Sequence, residues 1–402
     1  MNFVEGGVTA PKGFKASGIH CGIKKAKKDL GLIVSEKECY ASAVYTTNRV
    51  KGAPIEVTKA NLVDQKAHAV IVNSGNANTC NSDGVEKAER MCELVAEKLG
   101  LKKDDFIIAS TGVIGQPLNI EVIESGIDDL VSNLSENNGG DVAESIMTTD
   151  TIKKEVAVKC QIGDKEVSIG AIAKGSGMIN PNMATLLVFV TTDVNITGEL
   201  LDKAFKDAVN YSLNRISVDG DTSTNDMASI MANGLAGNKE INMMDSNYDI
   251  FVNALKDLMV KISKMLAQDG EGATKLIECQ VVNAKNEIDA VKLAKTVIMS
   301  SLVKSAMFGN DANWGRVLCA LGYSEVDFDE KIVDVKFKSS VGEVLVCKDG
   351  SYVEFSEELA EKIISEKEVV IYVDIKQGNK DGFAFGCDLT YDYVKINGSY
   401  RT

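Results

Sequence analysis

A threonine at the junction of a glycine-rich segment and an apolar run is the strongest candidate for chemistry in this chain. The segment contains Gly175-Ser176-Gly177 and leads through Ala184 to Thr185, after which residues 186–190 are apolar. If the bond between Ala184 and Thr185 were cut, Thr185 would carry both its hydroxyl and a new α-amino group. Such an amine has a reference pKa of about 7.7–8.0, so it can accept a proton near neutral pH and activate the hydroxyl as a nucleophile. The pattern alone also fits a structural loop that enters a strand.

Histidine chemistry is disfavoured because the chain contains only two histidines, His20 and His68. Neither has a second plausible ligand at metal spacing, so we expect no metal site and interpret both as structural or surface residues. An enzyme with this composition needs another base, and a terminal amine on Thr185 would supply one.

A second candidate follows the apolar run at residues 106–109. Thr111 and Gly112 could present a hydroxyl and a backbone N–H to one point, which is the arrangement that stabilises a developing oxyanion. A plain turn is the alternative. The amide-rich segment 72–79 also follows an apolar run, and it could line a site or be a tight structural loop.

Two close aspartates, Asp219 and Asp221, suggest a divalent cation at residues 218–226. The spacing does not match an EF-hand loop, because the glycine and the final glutamate are misplaced. A structural hydrogen-bonding loop is therefore the favoured interpretation.

Mixed helices and strands must position these segments. Apolar residues at three- and four-residue steps predict helices over residues 85–99, 200–213 and 251–266, the first of them stopping at Gly100. Short apolar or β-branched runs predict strands over residues 69–72, 106–109, 186–190, 332–337 and 369–375. The mixture predicts an α/β (α+β) architecture in which helices cover sheets.

The composition excludes several classes of partner. A net charge of −14 over 402 residues repels nucleic acid and anionic lipid, so we expect neither as a partner. The basic run at residues 24–28 is short and is expected to be a solvated turn. No apolar run of 18 residues and no signal-like start are present, and the nine scattered cysteines have no Cys-x-x-Cys pair. We therefore expect a cytoplasmic protein with reduced thiols.

Distinctive motifs follow one another along almost the whole chain. They occupy residues 6–14, 45–48, 73–78, 110–115, 147–151, 174–185, 219–226, 271–275 and 309–316, with a last matching turn that runs to Thr402. In this order they resemble the ornithine acetyltransferase (glutamate N-acetyltransferase) family of arginine biosynthesis. So many motifs in one order outweigh the structural interpretation of each segment taken alone.

The resemblance implies a self-cleaving precursor. Cleavage between Ala184 and Thr185 would give an α chain of residues 1–184 and a β chain of residues 185–402, which fold as one intertwined unit. Thr185 would then be the nucleophile that carries the acetyl group. Thr111 and Gly112 match the pair that forms the oxyanion hole. The implied substrate-contacting positions are Thr148, Lys174, Thr185, Glu271, Asn397 and Thr402.

The resemblance also implies the fold, the assembly and the reaction. The family fold is an αββα sandwich of two stacked sheets flanked by helices, and the mature enzyme is usually an α2β2 heterotetramer. The acetyl group moves from N2-acetyl-L-ornithine to L-glutamate without ATP or another cofactor. Members that also accept acetyl-CoA as an acetyl donor look alike at these motifs, so this second activity is left open.

Two alternatives compete with this interpretation. An N-terminal-nucleophile aminopeptidase or amidase of similar fold would share the cleavage but would pass its acyl group to water. A non-catalytic amino-acid-binding protein would keep the fold and stay uncut. Lys174, Glu271 and the match over the whole chain favour the transferase.

Overall fold

The computed structural model describes residues 2–180 and 186–399, and these form two compact units. The first unit contains residues 2–175, 186–214 and 221–262 of the described chain. The second contains residues 176–180, 215–220 and 263–399. The predicted residues Ala184, Thr185 and Thr402 lie outside the described residues.

One large sheet organises the described part of the first unit. Its strands are Asn2–Val4 (β1), Phe14–Ile19 (β2), Leu30–Tyr45 (β3), Lys66–Asn76 (β4), Phe106–Val113 (β5), Lys154–Ile162 (β6), Lys165–Lys174 (β7), Leu187–Thr192 (β8) and Met227–Ala232 (β9). They are ordered β1-β6-β7-β8-β9-β3-β4-β5, and β2 also pairs with β3. The helices are Ala53–Asn61 (α1), Gly84–Leu99 (α2), Ile120–Ser132 (α3), Gly139–Ser145 (α4) and Gly198–Tyr211 (α5), and Ser246–Gln268 (α6) begins in this unit.

Strand β3 lets this sheet fold over on itself. Its first half pairs with β4 and its second half with β9, and the pairing with β4 shifts register between Val34 and Cys39. Side chains of β4 and β5 pack into the same apolar cluster as side chains of β7, β8 and β9, among them Val70, Ile172 and Phe189. The sheet therefore forms two stacked layers with a shared core.

Helices cover the outer faces of both layers. Ile71 of β4 points away from the shared core and packs with Met91 of α2 and Ile127 of α3. On the other layer, α5 packs against β3, where the Ser42 hydroxyl donates to Asp202 Oδ1 at 2.7 Å. The order is helix, sheet, sheet, helix, so the predicted αββα arrangement is confirmed.

The second unit is built on a smaller mixed sheet. Its described strands are Leu276–Ala284 (β10), Asp334–Ser339 (β11), Gly342–Lys348 (β12), Ser351–Tyr352 (β13), Glu368–Asp374 (β14) and Lys380–Cys387 (β15), ordered β13-β12-β11-β14-β10-β15. Its further helices are Glu287–Met299 (α7), Ser301–Phe308 (α8), Trp314–Gly322 (α9), Glu357–Ile364 (α10) and Tyr391–Gly398 (α11). Alternate residues Ile277, Cys279 and Val281 of β10 pack in one apolar core with Leu293 and Val297 of α7.

The predicted elements occur close to their expected positions. The helix expected over residues 85–99 is α2, and it ends in a left-handed Gly100 with φ of 68°. The helices expected near residues 200 and 251 are α5 and α6, and all five expected strands are present. All nine cysteines are free thiols, and six of them are buried. No helix within residues 2–180 or 186–399 combines the length and apolar character that a membrane span requires.

Candidate functional site

The parallel pair β4 and β5 carries the candidate oxyanion residues at its carboxyl end. The strands predicted over residues 69–72 and 106–109 extend further, because pairing continues through Ser74–Thr111 and Gly75–Gly112 before it becomes irregular. Gly112 has a φ of 136°, and a Cβ there would lie 2.3 Å from the carbonyl carbon of Gly75. Only glycine fits this approach, so the backbone at residue 112 is rigidly placed.

Lys174 is the last residue of β7, and its side chain contacts Thr111. Its Nζ donates to Thr111 Oγ1 at 3.4 Å, and only 9% of Lys174 is exposed. A hydroxyl that accepts from an ammonium group can still donate its own hydrogen to another acceptor. The contact therefore joins a positive charge to a hydroxyl donor beside Gly112.

A buried aspartate holds this end of β7 in place. Asp150 accepts hydrogen bonds from the backbone N–H of Gly175 at 2.7 Å and of Thr148 at 3.0 Å. It also pairs with Lys154 Nζ at 2.7 Å, and both side chains of this pair are fully buried. Burial opposes ionisation of Asp150, but the charges of Lys174 and Lys154 and the Gly175 N–H lower its pKa to about 2. Asp150 is therefore an anion that links Thr148 to the residue after Lys174.

Lys24 adds a second, unexpected cation to this neighbourhood. Its Nζ donates to the carbonyl oxygens of Met147 at 2.6 Å and Lys28 at 2.8 Å. Burial chiefly, together with the charges of Lys27 and Lys174, lowers its pKa to about 8 despite the opposing effect of Asp29. The expected solvated turn is present at residues 25–27, but its first lysine is half-buried.

Asn225 fastens the segment before β9 to the ends of β4 and β5. Its Nδ2 donates to the carbonyl oxygens of Ala77 at 2.5 Å and Ser110 at 2.9 Å. Its Oδ1 accepts from the hydroxyls of Thr79 and Thr224, each at 2.6 Å. The two layers of the folded sheet are thus joined at the edge that carries Thr111.

The second unit contains Glu271, a largely buried acidic residue. Asn397 of α11 donates from Nδ2 to Glu271 Oε2 at 2.7 Å, and the Glu271 side chain is largely buried. The Glu271 backbone N–H donates to the carbonyl oxygen of Ser176 at 2.9 Å. A Cβ on Gly177 would lie 2.2 Å from Glu271 Oε2, so the glycine allows the carboxyl group its close approach.

Asp219 serves as a backbone acceptor. Its carboxyl group accepts the N–H of Met178 at 2.6 Å and of Ile179 at 2.8 Å. Within the described ranges, no cluster of three or more carboxyl, thiol or imidazole groups could hold a metal ion. These contacts fit the hydrogen-bonding interpretation of residues 218–226.

The predicted site residues thus fall into two sets. Thr111, Gly112, Thr148 and Lys174 belong to the first unit, where Asp150 and the Lys174–Thr111 contact connect them. Glu271 and Asn397 belong to the second unit and contact each other. Sequence reasoning assigned no role to Asp150, Lys154, Lys24 or Asn225. The only signal for Asp150 was its place inside the motif at residues 147–151.

Comparison with known proteins identifies the family. A model of the ArgJ family matches residues 15–402. The arginine biosynthesis bifunctional protein ArgJ of Caldanaerobacter subterraneus subsp. tengcongensis is 51% identical over 403 residues, which cover 100% of both proteins. The arginine biosynthesis bifunctional protein ArgJ 1 of Clostridium acetobutylicum is 50% identical over 391 residues, 97% of this chain and 96% of that protein.

A solved structure agrees with these relatives. In the crystal structure of the arginine biosynthesis bifunctional protein ArgJ from Bacillus halodurans, the matched chain is 44% identical, with a TM-score of 0.51. The match covers 53% of this chain and 98% of that chain. The prediction of an acyltransferase of arginine biosynthesis is confirmed, and this chain belongs to the ArgJ family.

Proposed function

We propose that the protein transfers the acetyl group of N2-acetyl-L-ornithine to L-glutamate through an acetyl group carried on Thr185. The precursor first cuts itself between Ala184 and Thr185, and the products of turnover are L-ornithine and N-acetyl-L-glutamate. The observation that carries this proposal is the 3.4 Å contact between Lys174 Nζ and Thr111 Oγ1 beside Gly112. It places a cation and an oxyanion donor together in a chain of the ArgJ family.

In the proposed reaction, Thr185 Oγ attacks the acetyl carbonyl carbon while the Thr185 α-amine takes the hydroxyl proton. The Thr111 hydroxyl and the Gly112 N–H stabilise the oxyanion. Collapse of the tetrahedral intermediate breaks the amide C–N bond, and the amine returns its proton to the departing nitrogen of ornithine. The amine of glutamate then attacks the acetyl-enzyme, and the same steps run in reverse.

Lys174 has two proposed roles in this scheme. Its charge binds the α-carboxylate of the substrate, and it lowers the pKa of the Thr185 amine through like-charge repulsion. The buried position of Lys174 supports both roles, because charges interact more strongly where water is excluded. Thr148, tied to Asp150 through its backbone N–H, is proposed as a further substrate contact.

Glu271 is proposed to bind the δ-ammonium group of ornithine. A largely buried carboxyl group gains most from a charged hydrogen-bond donor, and a cationic substrate provides one. Asn397 orients Glu271 through its 2.7 Å hydrogen bond. Thr402 is proposed as the last substrate contact.

The length of the solved relative supports the cut. The matched Bacillus halodurans chain corresponds to about half of this chain, which is what division near residue 184 would give. Strand β7 precedes the proposed cut and β8 follows it, and the two pair from Ile169–Thr192 to Lys174–Leu187. This pairing supports an α chain and a β chain that stay together. We propose their assembly as an α2β2 heterotetramer in the cytoplasm.

Both sequence relatives are named arginine biosynthesis bifunctional proteins. For this chain we propose a second activity in which acetyl-CoA acetylates glutamate. Neither activity requires another cofactor in this proposal, because acetyl-CoA serves as an alternative acetyl donor at the same nucleophile.

The decisive experiment is intact-mass analysis and a denaturing gel of the wild-type protein beside Thr185→Ala. The wild type is expected to give pieces of roughly 20 and 23 kDa by chain length, the larger beginning at Thr185. Thr185→Ala is expected to remain whole and to form no N-acetylglutamate. Acetyl release from N-acetylornithine is expected to require glutamate, whereas an aminopeptidase or amidase would release acetate into water.

Thr197→Ala is the matched control for this experiment. Thr197 precedes α5 and makes no side-chain capping hydrogen bond there, so its variant should be cut and active like the wild type. A wild-type protein that stays whole would overturn the proposed nucleophile and favour the binding-protein alternative.

A further inference from the structure

Asp226 lies directly beside the residue that follows Thr185. It precedes β9, and the N–H of Met227 donates to the carbonyl oxygen of Leu186 at 3.0 Å. The Asp226 carboxyl group in turn accepts hydrogen bonds from the Leu186 N–H and from Ser223. Its own carbonyl oxygen accepts the N–H of Thr46 at 3.0 Å. The residue is therefore fixed from both sides.

One oxygen of this carboxyl group lacks a partner in the described part of the chain. Asp226 is 4% exposed, and its Oδ2 has no hydrogen-bond partner among residues 2–180 and 186–399. A buried polar atom without a partner loses its hydration and gains no hydrogen bond in return, so such atoms are rare unless another group binds them. Burial raises the pKa of Asp226 well above its usual range, and the charge of Lys174 opposes this rise.

We propose that Asp226 is a positioning residue whose Oδ2 receives a hydrogen bond from the α-amine of Thr185 after cleavage. The inference rests on the proposed function, because the amine exists only if the chain is cut before Thr185. A carboxyl group that already binds the N–H of Leu186 lies within one residue of this amine. A newly formed amine, when protonated, is a charged donor, and such donors form the strongest hydrogen bonds with carboxyl groups.

The proposed bond gives the amine a direction. With one N–H held by Asp226, the lone pair of the neutral amine can point to the Thr185 hydroxyl, from which it must take a proton. Lys174 and Asp226 act on the amine with opposite signs, since the cation lowers its pKa and the carboxylate raises it. The charge of Lys174 also acts on Asp150, whose pKa it lowers together with the charge of Lys154.

Asp226→Asn tests the proposal, because asparagine keeps the size of the side chain and loses the negative charge. We expect the variant to be cut, with kcat for acetyl transfer about 10- to 100-fold lower and KM within about two-fold of the wild type. The acid limb of the pH profile of kcat/KM should move to lower pH by about one unit, because the amine loses an anionic neighbour. A cut variant with unchanged kcat and an unchanged acid limb overturns the proposal.

Asp193→Asn is the matched control. Asp193 is a buried aspartate directly after β8, and backbone N–H groups of Lys12 and Ser168 bind its two oxygens. Its variant should be less stable but should keep the acid limb of the wild type. A shift as large as that of Asp226→Asn would show that loss of any buried charge moves the profile, and it would overturn the assignment.

Ser223→Ala decides the case if Asp226→Asn does not fold or is not cut. Loss of the Ser223 hydrogen bond favours the protonated form of Asp226, so the acid limb should move in the same direction by a smaller amount. An unmoved acid limb overturns the proposal. A wild-type protein that is itself uncut would instead defeat the proposed function, and the two failures are thereby distinguished.

Discussion

The two ends of strand β8 each have a buried aspartate, and the two differ in how their oxygens are bound. At Asp193, after the end of β8, Oδ1 accepts the N–H of Ser168 at 2.8 Å and Oδ2 accepts that of Lys12 at 3.1 Å. At Asp226, beside the start of β8, Oδ2 has no partner within the described ranges. Burial raises the pKa of both residues. The difference indicates that one carboxyl group serves stability, while the other is left open for the chemistry proposed at Thr185.

The largest loss of activity should come from Thr111→Val. Thr111 contacts Lys174, which pairs with Leu187 at the start of β8. Valine keeps the shape of the side chain and removes the hydroxyl that is proposed to hold the oxyanion. We expect kcat for acetyl transfer to fall by about 100- to 1000-fold, with little change in melting temperature. Steady-state kinetics with N-acetylornithine and glutamate measure the loss.

Thr58→Val is a matched control for that substitution, because the Thr58 side chain of α1 contacts the same strand, β5. The Thr58 hydroxyl exchanges 2.8 Å hydrogen bonds with the N–H and carbonyl oxygen of Ile108, in the middle of β5. Its variant should lower the melting temperature and leave kcat within about two-fold of the wild type. Equal kinetic losses in both variants would erase the distinction between the ends and the middle of the strands.

The next largest effect, on stability at low pH, should come from Asp150. This buried anion accepts the N–H of Gly175, the residue after Lys174. Its folded-state pKa of about 2 lies below the usual aspartate value, so its stabilising contribution is complete above about pH 4 and is lost as pH falls toward 2. This part of acid unfolding should amount to about 2 kcal/mol. Asp150→Asn should be less stable at neutral pH. Its free energy of unfolding, measured by denaturant titration, should fall less than that of the wild type as the pH is lowered.

Asp164→Asn provides the control for acid unfolding. Asp164 pairs with Lys165 at 3.2 Å, and its side chain is 84% exposed, so the substitution should change neither stability nor slope measurably. If the free energy of unfolding of Asp150→Asn fell with pH as steeply as that of the wild type, the role given to the buried anion would be contradicted.

The smallest effect should appear at the far end of β8. Asp193→Asn retains one acceptor oxygen and loses the other, so we expect a loss of about 1–2 kcal/mol in the free energy of unfolding. Chemical denaturation measures this loss, and kcat should stay within about two-fold of the wild type. A large kinetic defect here would show that the two ends of β8 do not differ as their hydrogen bonds suggest.

Residue patterns and the family resemblance predicted the layered fold and the Thr111–Lys174 neighbourhood. Helical periodicity located α2 and α5 well, because both have one apolar face and one polar face. The apolar pattern underestimates the lengths of β4 and β5, because small polar residues such as Asn73 and Ser110 are typical of loops. In the structure these two residues pair with each other within a buried parallel ladder, and Ser110 Oγ donates to Asn73 Oδ1 at 2.6 Å.

Other residues near Lys174 and the start of β8 could not be predicted from sequence, because their roles depend on burial and not on residue type. Lys154 and Asp150 would be ordinary surface charges in another fold, yet both side chains are fully buried here. Asp226 lies in a segment that the sequence pattern assigns to a hydrogen-bonding loop. The pattern does not indicate that its Oδ2 lacks a hydrogen-bond partner within the described ranges. Long-range packing supplies that information.

The ladder between β7 and β8 has a consequence for the molecularity of folding. The precursor can form this ladder within one polypeptide, because its two strands lie on either side of the proposed cut. After the proposed cleavage, the same ladder would join two separate chains, and the pairing of β9 with β3 would also run from the second chain to the first. Recovery of the cut protein from denaturation would then be a bimolecular reaction, whose yield depends on protein concentration. An enzyme cut at this point would fold from its precursor as one chain, and dilution after unfolding would lower the yield of refolded protein.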